Sequence, residues 1–410
     1  MRAHWLALSL VALVLGGAGG CKGGSGTKVL YVMGPGSPTV AILEVSGAGA
    51  LIPTANFAST GSAPDVIGID PLLRFAYVVD SANGIGAGAV SQYVLNRSTG
   101  VLTAATFSST SGTASASTPV PTGVNPSALA IDGNGFFVYV ANQGSNSISG
   151  FLIDQVGGTL TEIKQQPPTT PNCVPNQIIP CPLPLVPPSV APKALIATGS
   201  MLFVAMTDGT TGTGSIATYM FNTTGESSTT VVAACPAGPG CLQSPPASTI
   251  AAGTNPVAMT MDPSGKFLFV VDSVANTVAA FSIASSGQLT AVGAPLAVGT
   301  TPVSVRVNPK GNFLYIANQG SGTNCVNGGV SAFSFDSSGA LTALSGSPFT
   351  AGTCPSYLAP DSSGSFLFVA NSGSNTISVF SIDSSGALAQ VSGSPFNSPI
   401  NNPTTLASIN

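Results

Sequence analysis

The side chains able to do chemistry are few. In 410 residues there are 10 Lys and Arg, 14 Asp and Glu, and a single histidine. His4 falls in an apolar N-terminal stretch with the marks of an export signal. The mature chain is therefore expected to have no imidazole for general-base or metal chemistry. Any hydrolysis would then rest on a carboxylate or on metal-bound water. Asp65 and Arg306 are the candidate catalytic residues, a base and an oxyanion partner, and Lys193 and Tyr357 are candidate binding residues. A more ordinary role for Arg306 is pairing with a nearby Asp or with backbone carbonyls. The stretch "NGIGAGAV", with Gly84, Gly86 and Gly88, evokes a phosphate loop, but no helix follows to supply the dipole. No metal and no cofactor is expected.

These residues must be positioned by whatever the rest of the chain repeats. "DPSGKFLFVVDSVANTVAAFSI" from Asp262 returns as "DSSGSFLFVANSGSNTISVFSI" from Asp361, and related units start at Pro64, Pro126, Pro192, Pro256, Pro302 and Pro355. Each unit resolves into four short strands. Strand A follows the proline, an Asp-Pro-x-Gly type turn leads to an aromatic and β-branched strand B, and a polar loop leads to strand C. A second turn, such as "DSSG" at Asp336 or Asp383, leads to strand D. No helical period appears beyond the N-terminus. Units of about 40 to 50 residues with four strands are propeller blades. "KVLYVMGPGSPTVAILEV" from Lys28 lacks a strand A and "PTTLASIN" from Pro403 is a strand A alone. Together they predict a seventh blade, closed by pairing of the two ends. The expected fold is all-β: a seven-bladed β-propeller over residues 28–410, with four antiparallel strands per blade.

On this scheme Arg306 stands where other strands A hold Gly68, Ala130 or Thr260. Asp65, Lys193 and Tyr357 open their strands A. Glu44, Glu162 and Glu226 fall in strands C or D or their turns, away from the axis. Asp70, Asp132, Asp262 and Asp361 recur at the A to B turn, and Asn142, Asn318 and Asn371 at the end of strand B; a residue present in so many blades serves blade geometry.

Composition agrees. With 6% charged and 44% hydrophobic residues, 49 Gly and 33 Pro, the chain suits many short strands and turns and is not a disordered one. A net charge of -4 and no basic cluster give no footprint for nucleic acid. Residues 1–20 read as a signal peptide: Arg2, an apolar core from Trp5 to Leu15 and a small-residue end. Cys21 follows, then a tether through residue 27. Six further cysteines suit an oxidising compartment. The B to C loops and D to A connections share one face, and all six are expected there, paired as Cys173 with Cys181, Cys235 with Cys241 and Cys325 with Cys354. Six cysteines allow 15 pairings. Without CxxC spacing or a histidine they make no zinc site.

The proline-led strand, "DPxG" turn and "FxxVAN" strand resemble the lactonase family of seven-bladed propellers, which includes bacterial 6-phosphogluconolactonase, and the YVTN-type surface propellers. "GAGGC" resembles a bacterial lipobox, with Ala18 where Leu is preferred, which implies lipidation of Cys21. The resemblance implies sugar-lactone hydrolysis. The lactonases often open strand A with Arg-His and end strand B with Asn-Glu. Here those places hold Ser127-Ala128, Val257-Ala258, Val303-Ser304 and Ser356-Tyr357, and Asn142-Gln143, Asn318-Gln319 and Asn371-Ser372.

Two functions follow. The first is a non-catalytic binding or scaffold module whose loop-rich face meets a protein, glycan or small-molecule ligand; the alternative is a sugar-lactone hydrolase. Either would be exported to the bacterial cell envelope and held by a lipid anchor at the outer membrane or cell surface, or else be periplasmic or secreted. Metabolic labelling with palmitate is expected to mark the protein and to be lost in Cys21→Ser; continued labelling of that variant removes the anchor.

Overall fold

The computed structural model describes residues 28–81, 86–108, 114–116, 118–163, 183–184, 189–221, 223, 239–243 and 246–409. Seven antiparallel sheets, each with four or five strands, follow one another along the chain. We number the blades I to VII from the sheet that holds both ends. The strands A of blades II to VII are Pro64–Ile69, Pro126–Ile131, Val190–Ala197, Pro256–Met261, Pro302–Val307 and Pro355–Pro360. That of blade I is the last strand, Thr405–Ile409, paired antiparallel with Val29–Met33 from Val29 opposite Ile409 to Met33 opposite Thr405. Each strand A packs against those of both neighbouring blades, so the seven form the inner wall of a closed ring.

Local chemistry shapes each blade. At the A to B turn the buried carboxylates of Asp70, Asp132, Asp262 and Asp361 accept backbone N–H groups at the start of strand B. At the end of strand B, Asn142 and Asn371 accept the amides of Gly123 and Gly352, fixing the incoming D to A connection. Asp272 does the same for Thr254 and Asn255. Asn318 departs from the pattern: its amide donates to Ser331 at 2.9 Å, the Gly299 amide goes to Ser331 in its place, and its Oδ1 is buried without a partner.

Each apolar cluster packs two adjacent blades, one cluster to each seam of the ring. Seven C to D turn glycines with positive φ (Gly49, Gly100, Gly158, Gly240, Gly287, Gly339, Gly386) each sit over the first residue of strand B in a neighbouring blade, such as Phe137 under Gly240 or Phe313 under Gly386. A Cβ on Gly386 would lie 2.3 Å from the Phe313 ring. Across four seams a buried strand B tyrosine donates to the carbonyl of that glycine. Tyr31, Tyr77, Tyr139 and Tyr315 bond Gly100, Gly158, Gly240 and Gly386 at 2.7 to 2.9 Å. Burial pushes all four phenols up, so they stay protonated donors. At the seam between VII and I, Lys28 reaches Asp361 at 3.0 Å. Burial alone would raise the Asp361 carboxyl, but the Ser363 hydroxyl, the Phe366 and Ser365 amides and Lys28 outweigh it and hold it low.

Two measurements test this architecture. Removing residues 403–410 takes away strand A of blade I, and soluble yield should collapse as strand edges are exposed. Tyr315→Phe leaves the Gly386 carbonyl buried and unpaired and should cost about 1 to 2 kcal/mol in urea unfolding. A change near zero would remove that hydrogen bond from the seam's energetics.

Candidate functional site

The strands A enclose an axial cavity of about 420 Å³. Its wall comes from the two residues after the strand A proline in every blade and extends to Ile196, Thr260 and Arg306 in blades IV, V and VI, so it lies toward the face of the B to C loops and D to A connections. In blades II to VII the pairing of strand A with strand B shifts register just after the opening proline, for example between Pro64 and Val66 and between Pro192 and Ala194. A bulge of this kind leaves one residue outside the ladder and re-aims its side chain. The residues so placed are Asp65, Ser127, Lys193, Val257, Val303 and Ser356, and all six line the cavity. In five of these blades the proline costs no hydrogen bond, because it stands at the first residue of the strand; in blade IV Pro192 is the third residue of Val190–Ala197, placed at the bulge.

All four candidate residues meet in this one cavity: Asp65 from blade II, Lys193 from blade IV, Arg306 from blade VI and Tyr357 from blade VII. Arg306 donates to the Val305 carbonyl at 2.8 Å and to the Tyr357 hydroxyl, and its guanidinium lies over the Tyr357 ring at 4.7 Å. Its pairing is thus with a backbone carbonyl and a tyrosine, with no carboxylate involved. Two of its five N–H groups make these bonds, and the described protein supplies no acceptor for the others. Lys193 has no carboxylate partner among the described residues, and burial lowers its ammonium pKa. Burial raises the Asp65 carboxyl, and the charge of Asp80 raises it further.

Hydroxyls complete the wall. Ser127 donates to the Pro192 carbonyl at 3.1 Å, Ser304 accepts the Leu358 amide at 3.2 Å, and Thr405 donates to the Asp65 carbonyl at 2.5 Å. Thr404 Oγ1 is buried without a hydrogen-bond partner. Sequence reasoning passed over these residues, although alignment of the repeats at their prolines brings Ser127 and Ser356 to the bulge position of Asp65 and Lys193. The wall offers one carboxylate, two cations and several hydroxyls, a set that suits an acceptor-rich, anionic ligand. No cluster of three His, Cys, Asp or Glu side chains suitable for a metal occurs among the described residues.

The remaining candidates lie elsewhere. Cys325 and Cys354 form a disulfide, with Cα atoms 5.1 Å apart, that ties the B to C loop of blade VI to the connection entering blade VII beside the mouth. Cys241 is disulfide-bonded, but it is not on that face. Phe221, just after strand C of blade IV, bridges to Leu242, and Gly240 is the C to D turn glycine over Phe137. Cys241 therefore sits in a C to D connection at the opposite end of the ring. Cys21, Cys173, Cys181, Cys235, Gly84 and Glu226 lie outside the described residues. Glu44 and Glu162 stand on strands C and D, away from the cavity. Gly88 packs against Pro126, as a strand residue and not a phosphate cradle.

The raised Asp65 carboxyl has a measurable consequence. Between its unfolded and folded pKa the native state holds the extra proton, so Asp65 costs stability progressively as pH rises through that window. Asp65→Asn should raise the melting temperature at pH 7, and the gain should vanish below the ordinary carboxylate range. A variant less stable than the parent at pH 7 would reverse the sign.

The sequence profile described as lactonase, 7-bladed beta-propeller, matches residues 27–175, 242–326 and 321–399. No curated protein matches at a significant level. Among solved structures, the periplasmic gluconolactonase PpgL of Pseudomonas aeruginosa is similar at TM-score 0.68 and 18% identity, covering 93% of this chain and 99% of its own. A Bacteroides fragilis protein provisionally named a 6-phosphogluconolactonase gives TM-score 0.66 at 20% identity, covering 94% and 99%. A protein from Lactobacillus plantarum gives 0.66 at 16%, also covering 94% and 99%. At these identities the likeness is one of fold. The profile match spans well over half of the chain, which belongs to the lactonase family of seven-bladed β-propellers.

Proposed function

We propose that this propeller is an exported, lipid-anchored module that binds a small, acceptor-rich anionic ligand in its axial channel without turning it over. One observation carries the reading: Arg306 and Lys193 both line the cavity with unused donors and no carboxylate partner among the described residues. Half-buried cations left in this state favour an anion that supplies the missing acceptors. The disulfide at the mouth and the fold likeness to a periplasmic protein support export, and the sequence around Cys21 supports the anchor. A protein or glycan on the loop face is a further partner of the same kind.

A second reading, lactone hydrolysis, is favoured by family membership and by the Asp65 carboxyl, whose raised pKa suits a general base. In that case Asp65 would take a proton from water, and Arg306 would face the developing oxyanion. Against it stands the thin supply of groups. Asp65 is the only carboxylate in the cavity wall among the described residues, and the general base is typically worth about 10² to 10⁴ in rate.

A panel of sugar lactones and the corresponding acids separates the two. Calorimetry on the mature protein should find binding of an acid that weakens about 10- to 100-fold in Arg306→Met, the loss of one charge-assisted contact. Lactone turnover should stay at background. Robust hydrolysis that disappears in Asp65→Asn, with the fold intact by circular dichroism, would make the protein an enzyme and Asp65 its base.

A further inference from the structure

The ring has two unlike faces. The A to B and C to D turns share one, here the turn face; the B to C loops, the D to A connections and the channel mouth share the other. Outside the channel, every described Lys and Arg is on the turn face: Lys28, Arg74, Arg97, Lys266 and Lys310. The charged groups at the loop end of the strands are carboxylates, Asp80, Asp208 and Asp272.

The turn face also carries a local apolar group. Leu72, Phe136 and Val156 are 49%, 41% and 91% exposed, at tips of turns in blades II and III. They flank one polar hub. Arg74 bonds Gln155 at 2.9 Å and the Gly135 carbonyl at 3.4 Å, and Gln155 bonds that carbonyl at 3.0 Å. The exposed apolar residues of the loop face, Val124, Val274 and Val326, are dispersed over three blades. Three exposed carboxylates, Asp154, Asp336 and Asp383, share the turn face, each turned onto the amides of its own C to D turn.

The start of the ring decides what this face meets. Lys28 precedes strand B of blade I, at the turn-face end of the molecule. Six residues separate it from Cys21, and the seven steps between them span at most about 25 Å. A lipid on Cys21 therefore keeps the turn face, and not the channel mouth, within reach of the bilayer. We infer that the turn face docks on the phospholipid headgroup surface. Leu72, Phe136 and Val156 enter the interface, and the basic side chains lie level with the phosphates. The channel mouth then points away from the membrane. The inference rests on the lipid anchor proposed above and adds the orientation of the propeller on it.

Trp5 is the only tryptophan and leaves with the signal, so one introduced tryptophan reports its own surroundings. Val156→Trp and Val274→Trp place it on the turn face and on the loop face, both at exposed positions that leave folding undisturbed. Full-length protein, processed in cells and purified in detergent, is reconstituted in phosphatidylethanolamine and phosphatidylglycerol vesicles with brominated acyl chains. Val156→Trp should shift its emission to the blue and lose about half of it to the bromines, as an interfacial side chain does, while Val274→Trp stays in water. Anchored protein whose Val156→Trp is unquenched, or quenched no more than Val274→Trp, overturns the docking and leaves the anchor standing. Protein that neither carries palmitate nor sediments with vesicles overturns both.

Discussion

Seven apolar clusters hold this molecule together, and each lies between two blades. Among the described residues each sheet packs its apolar faces against its neighbours in the ring, so every blade depends on two seams and the ring depends on all seven. The seam is specific as well as apolar. A glycine with positive φ lies flat over the first side chain of strand B next door, and in four seams a tyrosine hydroxyl closes the same contact with a hydrogen bond. Any Cβ at these glycines would push two sheets apart. With the apolar surface spent between blades, the axis is free to be polar.

That freedom explains the channel. The bulge after the strand A proline is the same in six blades, whatever residue occupies it, so the backbone presents the side chain and the side chain is open to change. Asp65, Ser127, Lys193, Val257, Val303 and Ser356 are interchangeable for the fold and unlike in chemistry. The wall is therefore charged on some sides and apolar on another, where Val257 and Met259 of blade V stand between the blades of Lys193 and Arg306.

Much of this was legible because the repeat writes its own alignment. The turn aspartates, the strand B runs and the lone strand at the end of the chain each have one natural place, and closure follows from what the first unit lacks. Arg306 was visible as the odd residue in a column of small ones. Its partnership with Tyr357 was not, because it crosses a seam, and a pattern read within one unit says nothing of the next. The bulge was also hidden, since a one-residue slip in register leaves an alternating strand looking regular. Cys241 misled for a related reason. Blade IV carries a long proline-rich insertion between strands C and D, and composition alone does not tell it from a connection between blades.

The closing strand has a consequence for the order of events in the cell. Thr405–Ile409 is made after the other strands of the ring, and together with Thr404 it supplies both the partner of Val29–Met33 and part of the channel wall. Until these residues leave the ribosome, and for an exported chain the translocation pore, the Val29–Met33 strand has one side unpaired and the channel one side open. The six intervening blades can form as they emerge, but a ligand has no complete site to enter. Arrival of this strand, assembly of the pocket and burial of the exposed edge of Val29–Met33 are thus a single event, located at blade I.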